Sequence, residues 1–142
     1  MNGVKYFLDT NIFVYSYDPR VISKQKVALN LIENTLDSGK GIISFQVVQE
    51  FLSAMTLRFS HKLTVEDLND YLTVVLSPLC TVFPSEQLYK KALDIHKMAR
   101  ISFYDALVIA AALQQHCTIL YTEDLQHGQT IAGVKIQNPF LK

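Results

Sequence analysis

Short apolar runs alternate along this chain with stretches whose apolar residues recur at helical spacing, the pattern of strands interleaved with helices. Val4 to Leu8 predicts a buried strand, and Ile12 to Tyr17 a short helical turn stopped by Asp18-Pro19. Val27, Leu31, Ile32 and Leu36 predict a helix whose stop is Ser38-Gly39. Gly41 to Ser44 predicts a second strand, feeding a helix from about Gln46 to Arg58. Thr64 followed by Asp67 predicts a cap for a helix carrying Leu68, Leu72 and Leu76, with Pro78 as its breaker. Leu79 to Phe83 then predicts a third strand, and Ser85 starts a helix with Leu88, Ala92, Leu93 and Ile95. The helix opened by Ser102 is apolar all round from Leu107 to Leu113, as expected of a central element. Thr118 to Tyr121 predicts a fourth strand and Val134 to Ile136 a short fifth. Such alternation predicts an α/β fold with a mainly parallel sheet covered on both faces.

Composition narrows the class. The 142 residues suit a single domain spanning 1–142, with no linker composition and no internal repeat. The longest unbroken apolar run, Ala106 to Leu113, is too short for a bilayer, and Asp9 interrupts the first one, so a soluble cytoplasmic protein is expected. Thirteen basic and thirteen acidic residues cancel. That balance speaks against a polyanion-coating protein, but not against an enzyme that engages a phosphodiester through a metal. Cys80 and Cys117 have no CxxC neighbour and are expected to be reduced core thiols.

Four acids interrupt this apolar pattern. Asp9 ends the first strand, Glu50 lies within Phe45 to Leu52, Asp105 opens the apolar helix, and Asp124 follows the fourth strand. Each has an ordinary explanation. Asp9 and Asp124 could start turns, Glu50 could be a solvated helix residue, and Ser102-x-x-Asp105 resembles a capping pair. In an open α/β sheet, however, sites form beyond the carboxyl ends of the strands, where all four acids could meet. Four carboxylates about 5 Å apart would repel by on the order of 20 kcal/mol at an effective dielectric near 20. Without a cation, some would protonate or spread apart. One or two Mg²⁺ or Mn²⁺ ions would relieve the repulsion, and oxygen donors favour such hard ions over zinc. A site of this kind suits metal-assisted phosphodiester hydrolysis. Thr10, Asn11 and Thr122 could orient waters or hold the acids, or could serve as capping groups.

Leu8-Asp9-Thr10-Asn11-Ile12-Phe13, Val48-Gln49-Glu50-Phe51, Ser102-Phe103-Tyr104-Asp105-Ala106-Leu107 and Leu120-Tyr121-Thr122-Glu123-Asp124-Leu125 resemble the four acidic motifs of PIN-domain ribonucleases. The similarity runs through the chain in motif order and length, and is strongest to VapC-type toxins of toxin–antitoxin pairs. It implies a three-layer α/β/α sandwich and Mg²⁺- or Mn²⁺-dependent cleavage of RNA. Asp9, Glu50, Asp105 and Asp124 would be the catalytic acids, with Asp9, Asp105 and Asp124 as metal ligands. An RNA substrate, an antitoxin partner and a homodimer are implied in the same way. Whether Glu123 or Asp124 faces the site stays open at this stage.

Other groups carry less. Lys24, Lys26, Arg58 and Lys62 are candidate phosphate contacts or solvated charges; Tyr15, Tyr17 and Phe59 are candidate stacking or packing groups. His61, His96, His116 and His127 lack metal-ligand spacing. Three other readings compete with the antitoxin-controlled toxin: an RNA-processing nuclease without an antitoxin, a phosphotransfer domain using Asp9 as nucleophile, and a non-catalytic module whose acid pocket receives a partner's arginine.

Overall fold

In the computed structural model, residues 4–58 and 63–141 are described. The elements run β1 (Tyr6–Leu8), α1 (Thr10–Tyr15), α2 (Ile22–Ser38), β2 (Gly41–Ser44), α3 (Phe45–Arg58) and α4 (Val65–Tyr71). A π-helical segment, Leu72–Leu76, leads into α5 (Ser77–Leu79), followed by β3 (Cys80–Val82), α6 (Glu86–Ala99) and α7 (Phe103–Gln114). β4 (Ile119–Tyr121), β5 (Thr130–Ile131) and β6 (Val134–Gln137) complete the series.

The strands form one sheet in the order β3-β2-β1-β4-β6-β5. Every pairing is parallel except that of β5 with β6. Phe7 of β1 stands opposite Ile42 of β2 on one side and Leu120 of β4 on the other. Helices cover both sides of this mainly parallel sheet, as the sequence pattern predicts. After β1 the chain builds outward through β2 and β3, then returns to add β4 on the other flank of β1. The carboxyl ends of β1 and β4 therefore bound the crevice where the strand order reverses, the usual place for a site in such sheets.

The core between sheet and helices contains Phe7, Leu8, Phe13, Ile43, Phe51, Ile109 and Leu120, all fully buried. In α7 every residue from Ala106 to Ala112 is buried, in keeping with its apolar circumference. Gly41 is needed where α2 meets β2: a Cβ there would lie 2.4 Å from the Thr35 methyl and 2.6 Å from the Tyr6 ring. Gly39 ends α2 in a left-handed cap at φ 69°, where a side chain would be strained. No helix of the described residues is long and apolar enough to cross a membrane.

Three local expectations need correction. α2 turns its Ala28, Ile32 and Thr35 inward, whereas Val27 and Leu36 are exposed. Thr35 shares a hydrogen bond with Tyr6 from this inward face (2.9 Å), a contact that apolar spacing alone did not reveal. Leu93 is likewise exposed on α6. The helical path runs one residue past Pro78 and ends at Leu79, close to where the sequence places its break. β3 consequently begins only at Cys80. The hairpin strand β5 escaped sequence reading because two residues carry no periodicity.

Candidate active site

Asp9 terminates β1 and becomes the N-cap of α1. Its Oδ1 accepts from the Thr10 amide (2.8 Å), so the turn-forming and site-forming roles coincide. Its other oxygen, Oδ2, accepts from the Thr122 hydroxyl (2.7 Å), which lies beyond β4. That hydroxyl is fully used. It also accepts from Asn11 Nδ2 (3.2 Å) and from the Asp124 amide (3.1 Å), filling one donor and two acceptor positions. Thr122 is completely buried and Asp9 nearly so. A single hydroxyl thus ties together the ends of β1 and β4, the first turn of α1 and the loop bearing Asp124.

Glu50 projects from α3 toward the same place. The Thr10 hydroxyl donates to its Oε1 (2.6 Å) and Gln46 Nε2 to its Oε2 (3.2 Å). The same Gln46 nitrogen lies 3.4 Å from the Tyr104 carbonyl, one residue before Asp105. Gln46 therefore links the helix carrying Glu50 to the start of α7. Asp105 sits in the first turn of α7, where the Ser102 hydroxyl accepts from its amide (3.1 Å). This is the cap foreseen from sequence, and it leaves the Asp105 carboxylate unused by the cap.

Electrostatics joins these acids into one group. Burial pushes the Asp9 carboxyl up from 3.8 to about 7; the Thr122 and Thr10 hydrogen bonds oppose that rise, while the charges of Asp124 and Glu50 add to it. Asp124 is also raised, first by desolvation and then by Asp105, Glu123 and Glu50, with Asn11 acting the other way. Asp9, Glu50, Asp105 and Asp124 are thus connected through Asp124. The arrangement is looser than the tight quartet considered above: among the described residues, no three His, Cys, Asp or Glu side chains converge into a ready metal cage.

The donor chemistry fits a hard divalent cation. Every candidate ligand is an oxygen, and a cation beside Asp9 would lower a carboxyl now held near neutrality. Buried acceptors without a partner, Asn11 Oδ1, Gln46 Oε1 and Ser44 Oγ, belong to the same corner of the sheet, where further donors could bind. A cleft of about 420 Å³ opens beside the acids, lined by Thr10, Asn11, Glu50 and Asp124 with Arg20 and Arg58. A larger cavity of about 690 Å³, beside Tyr6, Lys40 and Tyr121, has no acidic lining residue.

Glu123 does not share Asp124's surroundings. Lys24 donates to Glu123 Oε2 (2.7 Å), and the Tyr15 hydroxyl donates to Glu123 Oε1. Lys24 is therefore an ion-pair residue in this structure. Lys26 is solvent-exposed, Arg58 lines the cleft, and Tyr17 packs against Phe51 and Tyr71. Phe59, His61 and Lys62 lie outside the described residues. His96 contacts the Ile101 carbonyl (2.6 Å), and His127 Nδ1 accepts from the Asn138 amide (3.0 Å), both structural roles. Cys117 is buried, whereas Cys80 is only partly so; both are free thiols.

Sequence reading missed Arg20, which extends from the α1–α2 connection and chelates the buried Asp18 with two bonds of 2.9 Å. In sequence Asp18-Pro19 marks only a helix stop. Sequence reading also missed Gln46 and Ser44, whose signal was polarity at the mouth of a buried strand–helix junction.

The PIN domain family matches residues 6–130. Among curated proteins, none matches significantly. Solved structures do. A toxin–antitoxin complex from Klebsiella pneumoniae has a chain of similar fold, with TM-score 0.69, 17% identity, and 95% of this chain and 98% of that one covered. VapBC2 from Rickettsia felis, bound to a DNA fragment from its promoter, gives 0.62 and 20% identity over 95% and 98%. The sarcin–ricin-loop-cleaving toxin VapC20 from Mycobacterium tuberculosis gives 0.58 and 18% over 84% and 90%.

Proposed function

The chain belongs to the PIN domain family, and from that premise we propose that it is a metal-dependent endoribonuclease, the toxin of an antitoxin-controlled pair. The observation that carries this reading is the coupled set of acids at the β1/β4 crevice, with buried Asp9 poised near neutrality. Asp9, Asp105 and Asp124 would hold Mg²⁺ or Mn²⁺. When bound, such an ion supplies charge neutralisation at the phosphodiester and activation of water.

The chain's own groups do the rest. Thr122 fixes the Asp9 carboxylate, and Thr10 fixes that of Glu50, so neither acid has to be reordered when substrate arrives. Glu50 is exposed and can take the proton from the attacking water. Arg58, on the cleft wall, suits a neighbouring phosphate of an RNA strand. The related structures named as toxin–antitoxin complexes support an antitoxin as the partner of this chain. VapC20 supports RNA as its substrate. A homodimer and a cytoplasmic location complete the reading.

Asp9 is a poor covalent nucleophile, being only 7% exposed with both oxygens hydrogen-bonded. That observation disfavours phosphotransfer. The test is to incubate purified protein with total RNA in Mn²⁺, with and without chelator, beside Asp105→Asn, and to map new ends. Discrete cuts that need both metal and Asp105 are expected. Metal-independent partner binding without any RNA turnover would instead identify a non-catalytic module.

A further inference from the structure

Glu123 and Asp124 are adjacent, and both line the cleft beside the proposed metal centre. They differ in what surrounds them. Glu123 has both oxygens engaged, one by the Tyr15 hydroxyl and the other by Lys24 at 2.7 Å. Lys24 also donates to the Tyr15 hydroxyl (3.2 Å) and sits over the Tyr15 and Phe140 rings, 4.6 and 5.6 Å from their centroids. The two rings meet edge to face at 5.0 Å. The Lys24 and Glu123 side chains are only 33% and 25% exposed, so the pair is better shielded than an ordinary surface bridge. Among the described residues Asp124 has no salt bridge; its amide is tied to Thr122, and its carboxyl meets the Asn11 side chain and the charges of the other acids.

We propose, resting on the metal-dependent nuclease reading, that the Lys24–Glu123–Tyr15 cluster is a positioning device that withdraws Glu123 from the acid centre and presents Asp124 in its place. Lys24 neutralises the extra carboxylate, and the Tyr15 and Phe140 rings hold the ammonium in register. Without Lys24, Glu123 would bring an uncompensated charge beside the centre and compete with Asp124 for the turn. A cation would then be attracted more strongly, but held in the wrong geometry. Binding and turnover should therefore change in opposite directions, which simple loss of packing would not produce.

The experiment compares the wild type with Lys24→Met, Lys24→Met/Glu123→Gln and Lys24→Arg. Calorimetry measures Mn²⁺ affinity, and single-turnover assays measure RNA cleavage. In Lys24→Met, Mn²⁺ binding should tighten about fourfold, the effect of one added unit charge about 10 Å away in a water-like dielectric. Cleavage should fall at least tenfold, as expected of a misplaced ligand. Adding Glu123→Gln should return both values toward wild type, and Lys24→Arg should preserve them. Parallel loss of binding and cleavage, or a double variant as impaired as Lys24→Met, would overturn the device while leaving the nuclease reading intact. Absence of Mn²⁺ binding and cleavage in the wild type would overturn both.

Discussion

Replacing Asp9 with Asn should stabilise the folded chain at alkaline pH while destroying the site. Burial lifts this carboxyl from 3.8 to about 7, so the folded state holds a proton that the unfolded state has released over that interval. Its contribution to stability is therefore fully present below pH 4 and is lost as pH rises through about 7. The difference, roughly 3 pH units at about 1.4 kcal/mol each, amounts to about 4 kcal/mol once Asp9 is ionised. Asn cannot ionise. Its side-chain oxygen can still accept from the Thr10 amide, but the Thr122 hydroxyl loses its acceptor. That loss costs about 1 kcal/mol. Urea titrations from pH 4 to pH 8.5 in chelator should thus show Asp9→Asn slightly less stable than wild type at the acid end. At the alkaline end it should be more stable by about 3 kcal/mol, equivalent to roughly 5–10 °C in melting temperature. A stability difference that stays constant across this range would refute the assignment of a buried, proton-holding Asp9.

Other perturbations probe the same framework. Mn²⁺ should raise the wild-type melting temperature much more at pH 8 than at pH 5, because protons compete with the ion for Asp9; equal shifts in differential scanning fluorimetry would contradict this. Thr122→Val should cost about 2–4 kcal/mol, since it leaves Asp9 Oδ2, Asn11 Nδ2 and the Asp124 amide without their shared hydroxyl, whereas Thr122→Ser should retain most of the stability in chemical denaturation. Gly41→Ala should cost about 1–3 kcal/mol by forcing a Cβ against Thr35 and Tyr6, and adding Thr35→Ser, which removes the nearest methyl, should recover part of that loss. Full stability of Gly41→Ala would show that this junction has slack.

Much of the architecture was legible in the sequence because strands such as Gly41–Ser44 and the all-apolar α7 leave few physical alternatives. The Thr64–Asp67 capping box was equally plain, since its two reciprocal bonds depend on residues three apart. The facing of α2 was only partly legible: apolar spacing found the buried Ile32, but it also pointed to Val27 and Leu36, whereas Ala28 and Thr35 face inward, Thr35 bonding to Tyr6 of β1. Pro78 located the end of its helix to within one residue. At the site, the four acids stood out as charges within apolar runs. The hydrogen bonds that organise them did not. Two of Thr122's three partners, Asp9 and Asn11, lie more than a hundred residues away at the β1–α1 junction, and Glu123's neutralisation by Lys24 joins residues 99 apart. Likewise Gln46 looks like an ordinary first-turn residue until Glu50 and Tyr104 are placed beside it.

Anomalous scattering from a crystal equilibrated with Mn²⁺ near pH 8 addresses the metal site most directly. A peak contacting Asp9 and Asp105, with Asp124 adjacent, is predicted, and it should vanish in Asp105→Asn. Manganese bound elsewhere, or none at these acids in a preparation that still cuts RNA, would contradict the central proposal.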